Sequence, residues 1–193
     1  NDNNCYSTLA RPGVVETDSG LLLFFTGEPP TLDFTKVGKP LNVARQIGYV
    51  KVKTNFAHRS QKAAENNILS GDNVEWGLFK GYGGGIRNLT QRGVQWLTHY
   101  PERWTSAFNL KTAHLGPGRI LLYWEIWSDR TYQKSQLMVV DDNAAVVKGP
   151  WSLAERMATS WSDNMFVTEN DRVVIFNGDC EWNCPIKRGN PKR

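Results

Sequence analysis

Gly20-Leu21-Leu22-Leu23-Phe24-Phe25-Thr26-Gly27 decides how this chain is read. An apolar run of this length, closed by glycine at both ends, is the pattern of a buried strand. Asp18-Ser19-Gly20 in front of it is turn chemistry, and Gly13-Val14-Val15-Glu16 reads as the strand before, so the segment is a hairpin. The arrangement returns downstream. Residues 111–115 lead through Gly116-Pro117-Gly118 into Arg119-Ile120-Leu121-Leu122-Tyr123-Trp124-Glu125. Residues 164–167 lead through Glu169-Asn170-Asp171 into Arg172-Val173-Val174-Ile175-Phe176 and on to Asp179. A less regular copy runs from Ile68-Leu69 through residues 70–73 into Val74-Glu75-Trp76-Gly77-Leu78-Phe79-Lys80-Gly81. A third strand follows three of these hairpins, over residues 43–52, 90–98 and 135–141.

Helix signals are scarce. Residues 61–69 and 151–157 have the length for about two turns each, and both read equally well as loops or outer strands. Antiparallel units recurring roughly every fifty residues cannot cover their apolar faces alone, and stacking them radially around an axis does so while leaving only short edges. The expected fold is therefore all-β, a single domain over residues 1–193 forming a small β-propeller of about four blades, with a β-sandwich as the alternative.

At this level the chain resembles β-propeller repeat proteins in general. Arg172-Val173-Val174-Ile175-Phe176-Asn177-Gly178-Asp179-Cys180-Glu181-Trp182 is similar to the strand-and-turn phrase of hemopexin-type domains, which have four blades and close with a terminal disulfide. Ala10-Arg11-Pro12-Gly13 followed by the run at residues 20–25 resembles the opening of sialidase-type propellers. That resemblance implies that Arg11 grips a substrate carboxylate. The Ser-x-Asp-x-Gly-x-x-Trp box that accompanies it in sialidases is absent.

Eight Trp, eight Phe and six Tyr exclude a disordered chain. No apolar run approaches the ~20 residues of a membrane-spanning helix. The net charge of +4 is spread among 19 acidic residues and partly sits in the tail at Lys187, Arg188, Lys192 and Arg193. It is an ordinary solvated surface, and no nucleic-acid partner is expected. Cys5, Cys180 and Cys184 lack zinc-ligand spacing. Cys5 paired with Cys180 or Cys184 would join the first unit to the last, and Cys180–Cys184 is the competing local pair. Either choice leaves one thiol over, for a partner chain or as a free thiol. Together with the glycosylation triplet Asn88-Leu89-Thr90, the start without Met and the terminal Lys192-Arg193, they point to a secreted product of a larger processed precursor.

The chemistry on offer is sparse. Gly83-Gly84-Gly85 lacks the Lys-Ser/Thr of a phosphate loop, His58, His99 and His114 stand alone, and neither metal nor cofactor is expected. Alternation along a strand places Tyr123, Glu125 and Trp127 on one face, Trp124 and Ile126 on the other, so one tryptophan is core and one is available. Glu125 with Trp127 suits a sugar ring, stacked on the indole and hydrogen-bonded to the carboxylate. Trp76, Tyr82, Arg92 and Trp96, grouped around the triple glycine, form the other expected ligand-binding set. The first expectation is a non-catalytic module that binds a glycan or a protein partner through its loop-bearing face. A glycoside hydrolase using Arg11 with Glu16, Glu28 or Glu125 is the enzymatic alternative. A structural building block linked through the odd cysteine is the third.

Overall fold

The computed structural model describes residues 10–27, 44–54, 69, 73–80, 86–92, 94–101, 105–128, 131–153, 157 and 164–176. Twelve strands are found there, and no helix. β1 (Ala10–Thr17), β2 (Gly20–Gly27), β3 (Gln46–Val52) and the two-residue β6 (Gln95–Trp96) form one antiparallel sheet in the order β1-β2-β3-β6. β7 (Thr105–His114), β8 (Ile120–Ser128), β9 (Thr131–Val140) and β10 (Val146–Leu153) form a second, connected in sequence order. β4 (Asn73–Lys80) pairs with β5 (Ile86–Arg92), and β11 (Phe166–Val167) with β12 (Val173–Val174).

The hairpins read from sequence are present. Thr17 faces Gly20 across a two-residue turn and its hydroxyl donates to the Gly20 carbonyl at 2.8 Å. Gly20 adopts a positive φ of 149°, and a Cβ there would strike the Val52 carbonyl oxygen, so only glycine fits. Between β7 and β8 the Leu115 amide donates to the Arg119 carbonyl, with Gly116 and Gly118 supplying the positive φ that the turn requires. One expectation is corrected. Residues 90–98 do not form one third strand of a second copy. Their first part completes β5, and Gln95–Trp96 crosses to become the outer strand of the first sheet against Gly48 and Tyr49. The β4–β5 hairpin thus lies within a long insertion, residues 53–94, where the second sheet has only the turn from β9 to β10. Of the readings open for residues 151–157, helix, loop or outer strand, residues 151–153 take the outer strand, in β10. Residues 61–68 and the possible helix there fall outside the described residues.

Layering explains the composition. Along β8, Ile120, Leu122, Trp124 and Ile126 face the first sheet and pack with Val15, Leu22, Phe24 and Ile47. Leu121 and Tyr123 face the other way and, with Ala113, pack against Met165, Val167 and Ile175 of the β11–β12 segment. The second sheet is therefore a middle layer covered on both faces, which is why β8 reads as an unbroken apolar run instead of alternating. The first strands of the three layers follow one another. A Cβ on Gly13 of β1 would overlap Oγ1 and Cγ2 of Thr112 on β7. Thr112 in turn donates its amide to Asn164 Oδ1 at 2.6 Å and accepts from Asn164 Nδ2 at 3.0 Å, just before β11.

Polar groups tie the first two layers at both ends. At the tight-turn end, buried Lys51 donates from Nζ to Ser19 Oγ (2.6 Å), the Asp142 carbonyl (2.7 Å) and Asn143 Oδ1 (2.9 Å), which uses all three of its N–H bonds. At the other end, Trp124 Nε1 donates to the Tyr100 hydroxyl at 2.8 Å, which donates to Gln136 Oε1 at 3.1 Å. Gln46 Oε1 accepts from the Tyr100 amide and the Thr98 hydroxyl. Burial pushes the Tyr100 phenol up to about 12, against the pull of its bond from Trp124. Because the folded value lies above the unfolded ~10, the stabilisation is full below pH 10 and drains away as pH rises through 12. A loss on the order of 2 kcal/mol is expected over that interval. Chemical denaturation at stepped pH should show it, with a shallower slope in Tyr100→Phe. Tyr49, raised by burial and by the charge of Asp141, leaves a residual slope.

Candidate functional site

The β7 strand carries an irregularity where chemistry collects. Phe108 pairs with Glu125 and Lys111 with Tyr123, so Asn109 and Leu110 together oppose the single residue Trp124. Such a bulge needs one residue off the strand conformation, and Asn109 takes it with φ 56°. Asparagine tolerates the left-handed region better than other residues with a Cβ. The kink aims Asn109 Nδ2 at Glu125 Oε1 (3.3 Å), while Trp127 Nε1 donates to Glu125 Oε2 (2.8 Å). Glu125 is only 2% exposed, and Lys111, likewise buried, stands across from Tyr123 on the same sheet face. The carboxylate thus acts as a fixed anchor that orients the Trp127 indole.

Around that anchor lies a half-buried aromatic ledge. Phe108 meets Trp127 edge-on at 6.5 Å, and Trp127 meets Tyr132 edge-on at 5.8 Å. Arg45, from the segment entering β3, places its guanidinium 4.9 Å from the Phe108 ring centre. It is held there by its backbone. The Ala107 amide donates to the Arg45 carbonyl, and the Arg45 amide donates to Ser106 Oγ. On the inward side the Tyr123 hydroxyl shares Ser135 Oγ with the Tyr132 hydroxyl, at 2.8 and 3.0 Å, and donates to the Met157 carbonyl. The ledge lies at the end of the layers where β2 ends, β3 begins and β8 turns into β9 with Ser128 paired to Thr131, opposite the β1–β2 and β7–β8 turns.

Of the residues singled out from sequence, Glu125 and Trp127 are brought together, with the face assignments and the core position of Trp124 as expected. Trp96 is elsewhere. It packs edge-on against Phe25 at 5.7 Å above Gly48, whose missing side chain leaves room for both rings. Trp76 and Arg92 lie on β4 and β5, and Asn88 on β5, with side chains outside the described residues. Tyr82, Glu28, Cys5, Cys180 and Cys184 lie outside them altogether. Arg11 is in the irregular stretch of β1 where register shifts between Ala10 and Gly13. Glu16 is exposed beside the tight turn, at the end of the layers opposite Glu125, so these two acids do not converge. Sequence reasoning missed Arg45, Phe108, Asn109 and Tyr132. Only Asn109, a turn-former inside a strand run, carried a signal that could have been read.

Among the described residues no group of three or more His, Cys, Asp or Glu could hold a metal ion, and no helix is long and apolar enough to cross a membrane. Comparison with family models, curated proteins and solved structures finds no match for this chain.

Proposed function

We propose that the three layers are successive blades of a β-propeller and that the chain is a non-catalytic, extracellular recognition module that binds sugar on the Phe108–Trp127–Tyr132 ledge. The middle sheet supports the architecture, since it is covered on both faces and its first strand touches those before and after it. In this arrangement the copy expected at residues 68–98 is an insertion in the first blade, so the count of about four blades drops to three recognisable ones within the described residues. The one observation that carries the function is the ledge. An indole bonded to a buried carboxylate stands edge-on to two half-buried rings, with a guanidinium over Phe108, which gathers the aromatic and polar groups that sugar recognition uses. Glu16 and Glu125 stand at opposite ends of the layers, so that pair does not supply the two carboxyls within roughly 5–9.5 Å that glycoside hydrolysis needs. The triplet at Asn88 and the cysteine pattern support the extracellular setting.

Titration of intrinsic tryptophan fluorescence with mono- and oligosaccharides is the direct test. A saturable change is expected. Trp127→Ala should weaken binding by about tenfold or more, and Arg45→Ala by about threefold to tenfold. Turnover of aryl glycosides, or binding indifferent to both substitutions, would overturn the reading.

A further inference from the structure

The charges around the ledge narrow the kind of sugar it takes. Glu125 is the one acid among the described residues of the ledge. It is 2% exposed and has both oxygens bonded, Oε1 by Asn109 Nδ2 and Oε2 by Trp127 Nε1, so it is not the group that a ligand meets. Buried Lys111 pairs with Tyr123, two residues before Glu125 on the same face of the second sheet, and offsets its negative charge.

Arg45 then sets the sign. It is half-buried, as are Phe108, Trp127 and Tyr132, and its guanidinium lies over the Phe108 ring. A guanidinium is planar, keeps its charge at every ordinary pH and carries its five N–H donors at its edge. It can rest one face on an aromatic ring while its edge meets a carboxylate, which a lysine cannot do. Main-chain bonds to Ser106 and Ala107 fix where the Arg45 side chain leaves the backbone, and a change of side chain keeps them.

From this we infer that the sugar is acidic, a uronate whose apolar side lies against the aromatic ledge and whose carboxylate meets the Arg45 guanidinium. The inference rests on the sugar-binding reading of the ledge and adds the chemical class of the sugar. The two oxygens of a carboxylate match the planar fork of an arginine, and the pair is charge-assisted. A neutral sugar keeps the aromatic contacts and forgoes that pair.

Tetramers of glucuronate and of galacturonate, each beside its methyl ester and its neutral parent tetramer, are the probes, titrated by tryptophan fluorescence. At low salt at least one of the acids should bind about tenfold tighter than its ester and its parent. That preference should shrink severalfold between about 20 mM and about 500 mM sodium chloride. In Arg45→Gln the acid and its ester should agree within about twofold, and because the preference is a ratio, any general change to the ledge cancels from it. Esters that bind as tightly as the acids would overturn the inference and leave the sugar ledge standing. A preference that survives Arg45→Gln, or one indifferent to salt, would do the same. A sulfated glucose tetramer bound more tightly than either uronate would overturn the carboxylate assignment. Absence of binding by acidic and neutral sugars alike would bring down the ledge reading itself.

Discussion

Trp124→Ala is expected to lower stability by about 3–5 kcal/mol, the largest effect of any single truncation among the described residues. The indole is fully buried at the centre of the layer between the first two sheets, among Leu22, Phe24, Ile47, Ile126 and Met138. Its removal leaves a void that strands held by ladders on both sides cannot collapse into. The loss is compounded at Nε1, whose donation to Tyr100 links the first sheet's exit to Gln136 on the second. Trp124→Phe separates the two contributions. It keeps most of the volume and deletes only the hydrogen bond, so its cost should be about 1–2 kcal/mol beyond the small volume change. Urea denaturation followed by circular dichroism would measure both. A Trp124→Ala loss below about 1 kcal/mol would mean that the two sheets do not share this core.

Gly13→Val should rank next, at about 3 kcal/mol or more, although it adds atoms instead of removing them. The first Cβ already overlaps the side chain of Thr112, and two strands lie at contact there with nothing between them. To admit it, the first sheet must move off the second along the strand where they approach most closely. Thr112 cannot swing away without cost, because Asn164 bonds both its amide and its hydroxyl. The milder pair Gly13→Ala and Thr112→Ala forms an informative cycle. Thr112→Ala removes the two atoms that overlap most, so the double variant should recover about 1 kcal/mol or more relative to the sum of the singles. Strict additivity would show that β1 and β7 are not in contact in solution.

The strands around glycine and proline turns were legible in the sequence because local chemistry fixes them. Asp18-Ser19-Gly20 and Gly116-Pro117-Gly118 each specify a hairpin on their own, whatever surrounds them. The apolar runs after them announced burial on two sides. What the pattern could not convey was which strand lies beside which. Residues 90–98 look like one continuous ribbon, yet the chain divides there, because Gln95–Trp96 finds an open edge at Gly48 and the aromatic partner Phe25. That choice depends on a vacancy made by residues some fifty positions earlier, and no local window contains it. The candidate site divides in the same way. Glu125 and Trp127 follow from alternation along one strand. Arg45, Phe108 and Tyr132 join them from three other segments, and although an asparagine inside a strand run hints at a bulge, that it turns Asn109 toward Glu125 shows only in the pairing register.

The way β6 reaches its sheet also sets an order of assembly. The second sheet is drawn from one unbroken stretch, each strand pairing with the next, so its contacts close short loops. The first sheet receives its outer strand only after residues 53–94 have been made, and that junction encloses a far longer loop with a correspondingly larger entropic penalty. The second sheet can therefore form early and serve as the template on which the earlier part of the chain settles. Maturation in this molecule would then run against the direction of synthesis, with the amino-terminal ribbon among the last parts to be locked in place.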